Sequence, residues 1–301
     1  MALDSARVLV TGASGLIGRA LVSSFQAGGV EVTSLVRGTP AGPHQMRWDP
    51  ARPLAPENIT GFDAVVHLAG ETVASRWTSA KRTKIRDSRV AGTRNLAHAL
   101  AKAAKRPRVL VTASAIGYYG DRADEVLNEK SAAGTGFLAD VCREWEAANQ
   151  PATDAGIRTV QIRTGIVLSA EGGALKKMLP PFRMGVGGRL GSGRQWMSWI
   201  HIQDMVGGIH HVIKTDLLQG PVNFVAPRPV TNAEFTETLA SVLQRPAMFP
   251  IPVVAIQTIF GQMGQEVLLS SQRVEPARLV TSGYPFHCSE LRKALEAVLK
   301  G

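Results

Sequence analysis

A doubly wound, Rossmann-like α/β sheet with a smaller C-terminal lobe is predicted by three features of the sequence. An apolar run, Val8-Leu9-Val10, feeds the glycine-rich turn Thr11-Gly12-Ala13-Ser14-Gly15-Leu16-Ile17-Gly18, and an amphipathic stretch follows. Strand-like and helix-like segments then alternate through the first half of the chain, the order expected of one parallel sheet. The strand-like runs are short, β-branched and continuous, as in strands buried on both faces.

Each element can be justified in order. Residues 8–11 and 31–37 read as the first two strands, with a helix over 19–26 that ends at Gly28-Gly29. Further strands are expected at 64–68, 109–112, 158–162 and 222–225. Helices are expected at 90–102, 136–149, 205–214 and 232–243, the last capped by Thr231 or Asn232. A helical segment opened by Gly172-Gly173 should stop at Met178, because Pro180-Pro181 follow. Five glycines between 185 and 193, interspersed with Arg183, Arg189 and Arg194, read as a wet substrate loop. Proline-punctuated helices fill the tail, ending over 289–299. The expected division is a nucleotide-binding domain over 7–164 and a substrate lobe over 165–245 that returns elements to the core. A small helical region over 246–301 completes it.

Composition narrows the class. The 301 residues are 45% apolar, ordinary for a globular protein, and no apolar run is long enough to span a membrane. The first strand follows Arg7 directly, leaving no room for a signal peptide, so the expected compartment is the cytoplasm. Two distant cysteines and seven scattered histidines give neither a disulfide framework nor a metal-binding pattern, and no metal is expected. The formal charge of +10 comes from dispersed residues, the densest run, Lys81-Arg82-Thr83-Lys84-Ile85-Arg86, reading as one face of a helix. It suits a phosphorylated cofactor or anionic substrate as well as solvated surface, and no specific nucleic acid is expected.

In the glycine turn, Gly12 allows the tight bend, Gly15 the close approach of a phosphate, and Gly18 close packing of helix on sheet. The helix N-terminus then offers unpaired N–H groups to the anion. Arg37 follows the second strand, where the adenosine ribose of a dinucleotide belongs. An acidic residue there would favour NAD, whereas an arginine pairs with a 2′-phosphate, so NADP(H) is the expected cofactor, with Arg19 as a further contributor. Ala69 and Gly70 form a small-residue turn that lets the backbone approach the dinucleotide. His67, inside the strand, reads as a satisfied core histidine. Two readings of Glu71 stay open: a carboxylate facing the cleft, or a helix-capping or salt-bridged one. Ser114 falls at the carboxyl edge of the sheet, either donating to a substrate oxygen or serving as an N-cap or turn serine. No GxSxG elbow makes it a nucleophile.

Longer segments carry a resemblance. They are TGASGLIG at 11–18, HLAGE at 67–71, Trp48-Asp49-Pro50, RWTSAKRTKIRDSRVAGT at 76–93, SAIGYYG at 114–120 and FLADVCREWE at 137–146. RTGIVLS at 163–169, WMSWIHIQD at 196–204, and a C-terminal set from FPIP at 249–252 through LLSSQRVEPARL at 268–279 to GYPF at 283–286 complete it. Together they resemble the atypical and extended short-chain dehydrogenase/reductases, within them the "epimerase family" that looks like sugar-nucleotide epimerases and carries a small C-terminal domain. The resemblance implies an NADP-binding protein with a cleft between the nucleotide domain and the lobe from about Gly165 onward. It implies cofactor contacts from Gly12, Ser14, Gly15, Leu16, Ile17, Gly18, Val36, Arg37, Leu68, Ala69 and Arg89. Arg163, Trp199 and His201 would lie at the substrate end, joined by Glu71 in its cleft-facing reading. Arg89 is alternatively a solvated helix charge, and His201 a surface or core histidine.

One departure matters. Active members of the wider class use a Tyr-x-x-x-Lys pair on the helix after the serine strand. Aligned on Glu146, this chain has Leu138 in the Tyr position and Cys142 in the Lys position. Two readings therefore stay open. The first is an NADP(H)-dependent oxidoreductase or epimerase-like enzyme acting on a carbonyl or sugar-nucleotide-type small molecule, with Ser114 and Tyr118 or Tyr119 polarising the carbonyl. The second is a non-catalytic NADP(H)-binding sensor or regulatory protein, with a homo-oligomer compatible with either. A polar pocket around Ser114 favours the first, an apolar plug by Leu138 the second.

Overall fold

The computed structural model describes residues 6–300, so the reading of a leader, which rests on the first residues, lies largely outside the described residues. The main sheet is built from β1 (Arg7–Thr11), β2 (Glu31–Val36), β3 (Gln45–Arg47), β4 (Ala64–His67), β5 (Val109–Ala115), β6 (Arg158–Thr164) and β7 (Gly220–Phe224). The strands lie in the order β3-β2-β1-β4-β5-β6-β7, every neighbouring pair parallel. The order reverses between β1 and β4, and in open α/β sheets that switch point places the ligand crevice at the carboxyl ends of the strands.

Side-chain alternation divides each strand between two cores. Val8 and Val10 of β1 pack on one face with Leu21 and Phe25 of α1 (Leu16–Ala27), while Leu9 packs on the other with Leu96 and Leu100 of α2 (Ser79–Lys102). The helices α3 (Phe137–Ala147) and α4 (Gln150–Asp154) flank β5 and β6. Burying each such Leu or Val contributes about 1.5–3 kcal/mol, so continuous apolar strands have no reason to alternate. A third core gathers α5 (Gly173–Arg183), α7 (Asn232–Leu243) and the C-terminal α10 (Leu291–Lys300), whereas α6 (Ile202–Lys214) returns to cover the sheet beside α1. Between α7 and α10 lie α8 (Val253–Phe260), a π-helical turn (Gly264–Leu269) and α9 (Ala277–Thr281). No described helix is long and apolar enough to cross a membrane.

Two helices run past the bounds expected of them. α2 starts at Ser79, capped by the Thr78 side chain, and joins the basic run at 81–86, expected as one face of a helix, to the helix expected over 90–102; before Val90 it buries only Ile85. α5 continues through Pro180-Pro181 to Arg183. Its missing N–H groups fall in the last turn, and buried Leu175, Leu179 and Phe182 hold that turn against the third core, overriding the local preference.

His67 is the satisfied core histidine that its strand position implied. Its Nδ1 lies 2.7 Å from Thr11 Oγ1 and its Nε2 3.0 Å from Thr93 Oγ1. Burial lowers its pKa from 6.5 to about 4. Above 6.5 the ring is neutral folded or unfolded. Between 6.5 and about 4 the unfolded chain takes up a proton that the folded chain refuses, so stability falls across that window. At 1.36 kcal/mol per unit, the loss is about 3 kcal/mol. Urea denaturation over this range should show a dependence shallower by about that amount in His67→Gln; equal slopes would refute the assignment.

Candidate active site

Two cavities open at the carboxyl edge of the sheet. The first, about 640 Å³, lies over the glycine turn and is walled by Val36 and Arg37, Trp48 and Pro50, and residues 68–72. Gly12 has φ +71°, and a Cβ on it would stand 2.7 Å from the Leu68 carbonyl carbon. A Cβ on Gly18 would stand 2.2 Å from the Gly12 oxygen. Gly15 starts α1 without any side chain over its first turn, and that turn holds no acidic residue. The N–H groups of Leu16, Ile17 and Gly18 therefore lack intrahelical acceptors, and the positive end of the helix dipole faces the cleft. Ser14 and Gly15 line this end, while Arg19 braces the turn by donating to the Ser14 carbonyl at 2.8 Å. The Leu16 side chain points away, against Gly172 and Gly173, and Ile17 packs on the core, so both offer the cleft only backbone.

Leu68, Ala69 and Gly70 form the opposite lip. The Ala69 amide donates to Thr11 Oγ1 at 3.2 Å, which pins this turn to β1. Arg37 is exposed at the mouth and makes no hydrogen bond or ion pair with any described residue. An exposed cation, a glycine-rich turn and an uncapped helix start suit a dinucleotide with an extra phosphate.

Glu71 belongs to this cleft, a correction to its expected place at the substrate end. Lys81 Nζ lies 2.6 Å away, and that hydrogen bond chiefly holds the Glu71 carboxyl below the usual carboxylate range. Trp48 was legible only as part of a family-like element, yet it is buried edge-on against His67 and lines the cleft. Arg89 is not the solvated charge of its alternative reading. Its Nη1 donates to the carbonyls of Glu71 at 2.9 Å and Ile85 at 3.1 Å, and its guanidinium covers the Trp145 ring. It lines the second cavity, with its guanidinium against Gly70 on the lip of the first.

The second cavity, about 320 Å³, is bounded by Ser114, Leu138, Cys142, Trp145, Met178 and Gln272 among others. Leu138 and Cys142 do stand on its α3 wall, where the Tyr and Lys of the wider class were sought. Burial, helped by the nearby Glu146 charge, pushes the Cys142 thiol up to about 12, so it stays protonated at neutral pH. The space beside Leu138 is open, so this residue forms a wall and not a plug.

Ser114 Oγ donates to Glu146 Oε1 at 2.7 Å. Arg163 grips the same carboxylate with two bonds, Nε to Oε1 and Nη2 to Oε2, each 2.8 Å. Burial opposes the Arg163 charge, but the Glu146 hydrogen bonds and attraction outweigh it and raise the pKa. Arg163 Nη1 also donates to the Tyr119 hydroxyl at 3.0 Å, and Tyr119 donates to Asn223 Oδ1 at 2.8 Å.

This network corrects several site assignments. Tyr119 is fully buried with its hydroxyl occupied, so it cannot polarise a substrate carbonyl. The Tyr118 ring lies under the Arg163 guanidinium, 3.4 Å from it, serving the same buried cluster. Arg163 is a buried partner of Glu146 and lines neither cavity. Trp199 is in the third core with Nε1 donating to the Arg228 carbonyl. His201 is buried as the cap of α6, its Nδ1 accepting from the Gln203 amide. The pattern RTG…WIH thus marks packing around the site. Ligand-type atoms of His201, Asp204 and Cys288 lie within 4.8 Å of one another. The Asp204 oxygens already accept from the His287 and Cys288 amides and from Tyr284, which makes it the anchor of the C-terminal segment. Glu146 itself was noted only as an alignment landmark; its pairing across α3 and β6 leaves no local signal.

The switch-point cleft, glycine turn and adjoining cavity define a dinucleotide-cleft protein of the short-chain dehydrogenase/reductase type. The chain belongs to the NAD dependent epimerase/dehydratase family, whose model matches residues 8–224, and a domain of unknown function, DUF1731, matches residues 251–298. An epimerase family protein of Mycobacterium bovis is 43% identical over 295 residues, covering 97% of each chain. Among solved structures, human epimerase family protein SDR39U1 (isoform 2), crystallised with NADPH, superposes with a TM-score of 0.90 at 37% identity, covering 98% of this chain and 99% of that one. A structure described as the nucleoside-diphosphate sugar epimerase of Corynebacterium glutamicum has a TM-score of 0.82 at 38% identity; it covers 98% of this chain, which spans 58% of it. The UDP-N-acetylglucosamine 4-epimerase of Bacillus cereus, at 17% identity and a TM-score of 0.77, shares the fold.

Proposed function

We propose that this protein binds NADP(H) in the first cavity and acts as an oxidoreductase on a small-molecule alcohol or carbonyl in the second. The observation that carries this reading is Ser114, set on the cavity wall and hydrogen-bonded at 2.7 Å to a carboxylate. Gly12, Gly15 and the first-turn amides of α1 would hold the pyrophosphate, and Arg37 the 2′-phosphate. When bound, the cofactor supplies hydride chemistry at its nicotinamide. Ser114 donates its hydroxyl hydrogen bond to Glu146, so its lone pairs remain to accept from a substrate hydroxyl. A proton leaving that hydroxyl can pass to Ser114 as the serine proton passes to Glu146. The return path serves a carbonyl substrate. Arg163 fixes the Glu146 carboxylate in the geometry this relay needs.

Leu138 and Cys142 on the α3 wall favour the second reading, a non-catalytic NADP(H)-binding sensor, because neither replaces the missing pair. The two readings share cofactor binding and differ in turnover. Purified protein incubated with NADPH and carbonyl compounds, or with NADP⁺ and alcohols, should show cofactor absorbance changes for at least one class. No change across both panels, with NADPH demonstrably bound, would leave the sensor.

For the cofactor, Arg37→Asp should weaken NADPH binding about 10- to 100-fold, the worth of a charge-assisted phosphate contact. NADH affinity should move far less. Calorimetric titration giving equal losses for both cofactors would remove Arg37 from the 2′-phosphate site.

A further inference from the structure

We infer that the substrate is an amphipathic molecule with a small hydroxyl or carbonyl head and an apolar body, and not a nucleotide sugar; this rests on the second cavity being the substrate site proposed above. The observation is a third chamber, about 340 Å³, continuous in its walls with the cavity at Ser114. Ala174 and Met178 of α5, Leu190, and Val267 with Leu268 of the π-helical turn belong to both. Beyond them the chamber is closed by Phe182, Phe235, Ile251, Phe260 and Met263. Each space alone falls within the size range of small-molecule sites, and together they make an elongated pocket polar at one end.

The charges decide the ligand class. A nucleoside diphosphate head needs cations or free amides against its phosphates. Among the described residues lining the two chambers, the cations are Arg89 and Lys177. Arg89 is held on two carbonyls beneath the cofactor cleft, and Lys177 Nζ donates to the Ala74 carbonyl at 3.1 Å. The acidic group of this wall, Glu266, has both oxygens on the amides of Phe137 and Leu138.

The arginine-rich loop that the sequence offered as a wet substrate contact is built the other way round. Arg183, Arg189 and Arg194 are exposed, while Gly187 and Gly188 form the chamber wall. A Cβ on Gly188 would fall 1.7 Å from the Phe249 oxygen, because this loop is zipped to the 249–251 segment. That zip includes Ile251 N donating to the Arg189 carbonyl at 2.8 Å and Gly191 N to the Ile251 carbonyl at 2.9 Å. Val186 and Ile259, next in sequence to the wall residues Gly187 and Phe260, are exposed, as is Phe249.

The test is isothermal titration of the NADPH-loaded protein with primary alcohols from butanol to decanol, and separately with UDP-glucose. Affinity should rise about fourfold per added methylene until the chamber is filled, and UDP-glucose should give no saturable heat. Ala174→Phe and Val267→Phe, which intrude on the shared wall from opposite elements, should each abolish the chain-length dependence while NADPH affinity stays within twofold. At least one of the two is expected to fold, and NADPH binding reports which. A flat response to chain length in the wild type, or saturable UDP-glucose binding, overturns the inference. Chain-length-dependent binding without any NADPH affinity would instead refute the cofactor reading and leave this inference standing.

Discussion

Replacing Glu146 with leucine should cost about 3–5 kcal/mol of folding stability, the loss expected when one partner of a buried ion pair is removed. Arg163 is left with a side chain only 3% exposed, and Glu146, itself 14% exposed, supplies its carboxylate bonds. A guanidinium cannot shed its proton at neutral pH to escape the burial cost. The double variant Glu146→Leu/Arg163→Met should recover most of the loss, since two apolar groups of similar size replace the pair. Urea denaturation of the four proteins forms the cycle; a double variant as unstable as the single would refute this account. Arg86–Glu144, an exposed pair ending on the same helix, serves as the control and should change little when broken.

Gly18→Ala should abolish NADPH binding, by at least about a hundredfold. An alanine normally stabilises a helix by about 1 kcal/mol over glycine. Here its Cβ would stand 2.2 Å from the Gly12 oxygen and 2.8 Å from Ala13 Cα, both backbone atoms of the phosphate turn. The turn must move away from α1, carrying with it the amides that face the cleft. Gly42→Ala, at a position with no atom within 4 Å of the added methyl, is the matched control. Calorimetric titration checks both, and unchanged affinity in Gly18→Ala would show that the turn tolerates displacement.

What could be read from the sequence follows from how local each feature is. The sheet strands are continuous apolar runs, and the glycine turn depends on residues within one strand–helix junction, so both were legible, as was the place of Arg37 directly after β2. β3, three residues long, has no such run, and the two helical readings over 81–86 and 90–102 did not show that they form one helix, because charged residues dominate its first turns. The site behind the turn is not local. Ser114, Glu146 and Arg163 come from β5, α3 and β6, and only parallel pairing sets Ser114 beside Arg163 in register. Trp199 and His201 were assigned to the substrate end by the family resemblance, yet their neighbours make them core and cap. Aromatic and imidazole side chains serve packing as readily as binding, and spacing alone does not separate the two uses.

The cap that Glu266 places on α3 has a consequence for how the protein is made. Its oxygens accept from the amides of Phe137 and Leu138, 128 or more residues earlier in the chain. At bacterial or eukaryotic elongation rates, about 5–20 residues per second, that interval is on the order of ten seconds. Throughout it the nascent chain contains the residues of the glycine turn while Glu266, which lines the second cavity, is still to be added. The order of synthesis thus supplies the walls of the first cavity well before the residues that complete the second, so the two can coexist only once the chain has grown past Glu266.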